Sequence, residues 1–178
     1  MLRKTLALSL VAVTCMAAAP KPASKPAPRP KPAAAAASVD LRDPASLTAI
    51  LATLSAKAEV ARRDGDAVFV TVTSPTEVFS AQFAGCDAQG RNCQALLFDR
   101  PGSGGAPTLA QLNAFNQTSM MCRLYQDKGG RAHVMYSALL FEGEGRSEML
   151  THLNAWRGCI GDFNAFMKDP AGFLANAA

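Results

Sequence analysis

Apolar residues recur along the chain with two different periods. Leu47, Ile50, Leu51 and Leu54 step by three and four, which predicts a helical stripe, and Asp43-Pro44 opens it as N-cap and first-turn proline. The period then falls to two. Glu59–Arg63 and Ala67–Thr73 alternate around Asp64-Gly65-Asp66, which predicts a hairpin with Val68, Val70 and Val72 on one face. Phe69, Thr71 and Thr73 take the other face. Glu77–Gly85 and Cys93–Arg100 predict a second hairpin, with Asp87–Asn92 as its polar turn. Thr108 and Gln111 form a capping box for a helix carrying Leu109, Leu112, Phe115 and Asn116 on adjacent turns. Met121–Asp127 and Arg131–Leu140 read as two more strands around Lys128-Gly129-Gly130. In the last helix Met149, Leu153, Trp156, Ile160, Phe163 and Met167 form a seam at 3-4 spacing, widened by Leu150, Cys159 and Phe166. The order α-ββ-ββ-α-ββ-α predicts an α+β fold: an antiparallel sheet of about six strands with helices packed on one face.

Upstream of residue 39 the pattern is different. Arg3 and Lys4 precede the apolar run Leu6 to Val13, and Ala17-Ala18-Ala19 supplies small residues, so residues 1–19 read as a cleaved secretory signal. The apolar stretch is shorter than the roughly 20 residues a membrane span needs. The alternatives are a retained anchor, since Pro20 hinders cleavage directly before it, or lipidation at Cys15, where Ala12-Val13-Thr14 departs from the usual lipobox. Residues 20–38 hold six prolines and four basic residues, then an alanine run. Alternating Lys-Pro and Arg-Pro favours an extended polyproline spacer, with a basic tether to an anionic surface as the sharper reading.

Charge changes the picture. The formal net charge is +4, yet residues 1–38 carry six basic groups and no acid, so residues 39–178 hold 12 Lys/Arg against 14 Asp/Glu. The folded part is mildly acidic and lacks the footprint that nucleic-acid binding requires. No nucleic-acid partner is expected, and no membrane span in the mature form.

Five cysteines become four once the leader is removed, an even count that in an exported protein favours disulfides. Cys86 and Cys93 lie at the two ends of a hairpin turn, within reach of each other, and are the predicted pair. Cys122 and Cys159 fall on apolar positions and read as buried thiols behaving as small hydrophobes, with a second disulfide as the alternative. No ligand set with metal spacing is present, and no redox Cys-x-x-Cys. His133 and His152 are the only residues able to act as bases near neutral pH, and neither follows a nucleophile motif. A Cys-His dyad using Cys122 or Cys159, above all in the Cys122/His133 region, is conceivable, and an apolar setting makes such a thiol inert. Gly102-Ser103-Gly104-Gly105 lacks the ending of a phosphate loop and reads as a connection. Glu142, Glu144 and Glu148 read as helix-capping carboxylates. No catalytic, metal or cofactor-binding residue is therefore assigned.

The segment from Thr108 to Met167 resembles the YbjN family. The matching residues are Asn113-Ala114-Phe115-Asn116, Arg123-Leu124-Tyr125-Gln126-Asp127, Gly129, Gly143 or Gly145, Trp156, Phe163 and Phe166. Upstream, Gly85-Cys86 and Asn92-Cys93 are similar to a hairpin of exported members, and the likeness extends over Leu41 to Met167. The chain departs at Phe115, where the family commonly has Trp, and at Met120-Met121-Cys122, where it has a basic-aromatic-Gly stretch. The resemblance implies a type III secretion chaperone-like sandwich, a fold often associated with dimerisation, so a homodimer is one expected assembly. The family is labelled a sensory-transduction regulator, and no functional residue carries over from it.

Together these readings point to an exported, non-enzymatic binding or adaptor module, periplasmic or secreted, that meets an unknown protein partner by strand addition or by laying an extended segment along its sheet. The alternatives are a structural envelope factor tethered by its linker and, last, a Cys/His enzyme. Cleavage near residue 19 is the first testable outcome. The intact mass of protein from an envelope extract should lack the leader; a full-length species retaining Met1 in the cytoplasm would contradict it.

Overall fold

Six strands and four helices alternate through residues 39–176, the part of the chain that the computed structural model describes. The leader and linker readings fall outside the described residues. Helix α1 (Pro44–Ala52) is capped by Asp43, whose carboxylate accepts from the Ala45 N–H at 2.9 Å. Strands β1 (Lys57–Asp64) and β2 (Ala67–Thr73) form the first hairpin, and β3 (Val78–Ala84) and β4 (Ala95–Pro101) the second. Helix α2 (Leu109–Thr118) starts at the Thr108–Gln111 capping box, with both reciprocal hydrogen bonds made. Strands β5 (Cys122–Gln126) and β6 (Ala132–Leu139) follow, then the long helix α3 (Arg146–Lys168) and a short α4 (Pro170–Asn176). The sheet runs β1-β2-β3-β4-β6-β5 with every neighbouring pair antiparallel.

Strand parity decides which face is buried. Val68, Val70, Val72, Phe79, Ala81, Phe83, Leu96, Phe98, Leu124, Val134 and Tyr136 all point to one side and join a single core with the helices. The α3 seam lies across it as predicted, from Met149 through Leu153, Trp156, Ile160 and Phe163, with Cys159 and Phe166 also buried. Trp156 is 1% exposed, and its ring lies 5.5 Å from Phe79 and 5.7 Å from Phe98. This aromatic group joins the middle of the helix to two adjacent central strands.

Two turns share one local code. In Asp87-Ala88-Gln89-Gly90-Arg91 and Asp127-Lys128-Gly129-Gly130-Arg131, the aspartate Oδ1 accepts from the N–H groups two and four residues on. Each aspartate N–H donates to the arginine carbonyl, at 2.7 and 3.0 Å, and the fourth residue is a glycine at φ 74° or 79°. That conformation favours glycine, so both turns are written in their own five residues.

The structure departs from the sequence expectations at five places. Leu54 lies past the end of α1, in a turn closed by Ser55 at φ 58°, and is 48% exposed. Leu109 at the first position of α2 is 70% exposed, because only the Leu112 and Phe115 side of that helix meets the core. Strand β1 is longer than predicted and bulges at Ala61, which restores Arg62 to the face opposite the core. Helix α4 is additional: Asp169 accepts from the Gly172 N–H at 3.0 Å, and Phe173 packs on Phe115 and Phe166. It is too short to show a period. Finally, Cys122 and Cys159 are not thiols but a disulfide, with sulfurs 2.07 Å apart and Cα atoms 5.5 Å apart. Cys86 and Cys93 are bonded as well.

Replacing Trp156 removes the ring on which both strands pack. Burial of this kind is worth about 3–5 kcal/mol against a domain total of about 5–15. Trp156→Ala should lower the unfolding free energy read from denaturant melts by that amount or abolish soluble expression. A loss under about 1 kcal/mol would mean that the seam does not hold the sheet.

Candidate functional site

All four helices join the core on one side of the sheet, so its other side is open among the described residues. The pairing registers align that face into rows. One row crosses the sheet as Glu59, Thr71, Ser80, Asp99, Met135 and Arg123; the next as Arg62, Phe69, Gln82, Leu97 and Ser137. In the middle, the short polar side chains of Thr71, Ser80, Gln82 and Ser137 are interspersed with Phe69, Leu97 and Met135. At the first hairpin the Arg62 guanidinium lies 3.7 Å over the Phe69 ring.

At the opposite end, β4, β5 and β6 bring four polar side chains together. His133 Nδ1 is 3.0 Å from Asp99 Oδ1, and its Nε2 is 3.4 Å from Asp127 Oδ2. The Tyr125 ring stacks on His133 at 4.8 Å, and its hydroxyl donates to Asp99 Oδ2 at 2.8 Å. Burial against these neighbours, then the bond to Asp99, raises the Tyr125 phenol above its ordinary pKa. The Asp127 carboxyl is held below the usual range, chiefly by the Arg131 backbone N–H and then by His133. Because each ring nitrogen of His133 faces a carboxylate, neither is placed to take a proton from a nucleophile.

The structure separates the residues that a thiol mechanism would need. Cys122 faces the core and is bonded to Cys159, whereas His133 lies on the open face. A disulfide sulfur is not a thiolate, so the dyad of Cys122 or Cys159 with His133 does not form. His152 sits on the helical side, where its Nδ1 is 2.8 Å from the Tyr136 hydroxyl. Glu144 and Glu148 accept backbone N–H groups of Phe141 and Gly145, as capping residues do. Gly102 packs against α3: a Cβ there would stand 2.9 Å from Phe163 Cζ, so the glycine is a packing residue rather than part of an anion cradle. Among the described residues no group of three or more His, Cys, Asp or Glu is placed to hold a metal ion.

The two sheet edges are closed in different ways. On β5, the Asn116 amide of α2 donates to the Leu124 carbonyl at 3.0 Å and accepts from the Leu124 N–H at 2.7 Å. Ser119 Oγ takes the Cys122 N–H at 3.1 Å. The groups that an added strand would use at Leu124 are therefore occupied. On β1 the edge carries the bulge and the pairs Lys57–Glu59 and Arg62–Asp64, devices that oppose strand addition.

Asp99, Asp127, Tyr125 and the edge role of Asn116 were not assigned from sequence. Strand parity places Tyr125 opposite His133, but Asp99 joins them only because β4 pairs with β6 rather than with β5. No family model matches the chain, and neither does any curated protein or solved structure. The likeness to the YbjN family therefore rests on the residues quoted for it.

Asp127 gives a pH outcome with a definite sign. A carboxyl held below its ordinary pKa in the fold contributes stability that is present above about pH 4 and lost as the pH falls through its folded value. Asp127→Asn keeps the turn geometry but does not titrate. The stability difference between wild type and Asp127→Asn, from denaturant melts, should shrink steadily between pH 5 and about pH 2. A difference independent of pH would remove the carboxylate from the account.

Proposed function

We propose that the protein is an exported, non-enzymatic recognition module that binds an extended segment of a partner protein across the open face of its sheet. The observation that carries this reading is the sidedness of the fold. Every helix is used on one face, both edges are guarded, and the remaining surface presents aligned hydroxyl and amide groups with an aromatic pair at one end. Of the two docking modes expected for such a module, the guarded edges favour lying along the sheet over adding a strand.

Export is supported by the leader pattern and by the two disulfides, which persist in oxidising compartments such as the periplasm or the extracellular space. Among the described residues no helix is long and apolar enough to cross a membrane. A regulatory or adaptor role also accords with the YbjN resemblance, whose label implies no chemistry.

The test places two bulky cations in the centre of the face. Ser80 and Ser137 are exposed there, and surface substitutions of this kind usually change stability by less than about 0.5 kcal/mol. The double variant S80R/S137R should keep the wild-type melting temperature and lose the protein that wild type enriches from an envelope fraction. Undiminished enrichment by the folded double variant would move recognition to another surface.

A further inference from the structure

On the helical side a cleft of about 540 Å³ opens between α3, the turn after α1 and the β2–β3 hairpin, a volume within the usual range of small-ligand sites. Its walls are apolar, from Leu51, Leu54, Val72, Phe79, Leu153 and Ile160. Leu54 is the half-exposed leucine past the end of α1, so this part of the wall is left uncovered. Trp156 also lines the cleft, and its indole Nε1–H is buried with no acceptor among the described residues.

Two charged residues reach the wall. Glu77 is already paired with Arg100 at 3.1 Å. Arg157 adjoins Trp156 and has no carboxylate partner among the described residues. The cleft therefore offers an apolar lining, exposed chiefly at Leu54, and one uncompensated cation. An aliphatic chain would take the first and a carboxylate the second, since a guanidinium binds a carboxylate through two parallel N–H donors.

We propose that this cleft is a binding site for a single-chain aliphatic carboxylate, a fatty acid, with its chain against Leu54, Leu153 and Ile160, over the buried Trp156, and its carboxylate on Arg157. The site is independent of the open sheet face and lies on the other side of the sheet. Gly161 provides the steric control: it lines the cleft, and an added Cβ meets nothing within 4 Å, so a larger side chain fits there without displacing the core.

Trp156 is the only tryptophan in the chain, so its emission reports this site alone. Calorimetry and fluorescence of the full chain with decanoate should show saturable binding accompanied by a change in Trp156 emission. Arg157→Gln should weaken decanoate at least tenfold and change binding of the neutral analogue decan-1-ol less than twofold. Gly161→Leu should abolish binding of both while the melting temperature is kept. The proposal is overturned if wild type shows no saturable decanoate binding, if Arg157→Gln binds decanoate as wild type does, or if folded Gly161→Leu still binds. Binding of a leucine-terminated tripeptide without binding of decanoate would assign the cleft to a peptide carboxyl terminus and overturn it equally.

Discussion

The contact of Trp156 with Phe79 and Phe98 holds the α3 helix against the sheet, and much of the architecture follows from where that contact lies. The indole sits near the middle of a 23-residue helix and over two central strands. A helix anchored there covers the middle of the sheet, leaving α1 to fill one end of the same face and α2 with α4 the other. Phe115, Phe166 and Phe173 close that second end with their own aromatic group. The Cys122–Cys159 bond ties β5 to the same helix one turn beyond the indole. It joins residues 37 apart in sequence, and a loop of that length removes about 3–4 kcal/mol of unfolded-state entropy on the chain model.

Concentrating the helices on one face sets a problem at the edges and leaves the opposite surface open. An antiparallel sheet tolerates one solvated face, provided that the face is polar and the outer strands do not recruit others. The chain meets the first condition in part, with threonine, serine and glutamine interleaved with Phe69, Leu97 and Met135 in the central rows. It meets the second with a side-chain amide at Leu124 and with charges and a bulge on β1. The Asp99, Asp127, Tyr125 and His133 group uses the same logic on a smaller scale, for each carboxylate is matched by donors.

Much of this was legible in residue order because it is local. The 3-4 seam of α3, the Thr108–Gln111 box, the Asp43 cap and the alternation of β2 each depend on residues within a few turns of one another. The Cys86–Cys93 link spans one hairpin turn, so neighbouring residues sufficed there too. What escaped was long-range or very short. Leu54 and Leu109 share the period of their helices, yet α1 ends before Leu54 and only the Leu112 and Phe115 side of α2 meets the core. Cys122 and Cys159 look like ordinary core positions until β5 and α3 are brought together. Asp99 reaches His133 only through the crossover that sets β4 beside β6.

The repeated Asp-x-x-Gly-Arg turn has a bearing on the order in which the chain becomes covalently closed. In the first copy the turn lies between Cys86 and Cys93, so five residues that need no distant partner hold the two sulfurs near each other. Loop closure over so short a span costs less entropy than over the 37-residue separation of Cys122 and Cys159, which in the fold are brought together by α3 packing on the sheet. The two bonds therefore stand at opposite ends of maturation. The first is expected to oxidise while the chain is still largely unfolded, and the second to seal a tertiary arrangement already made.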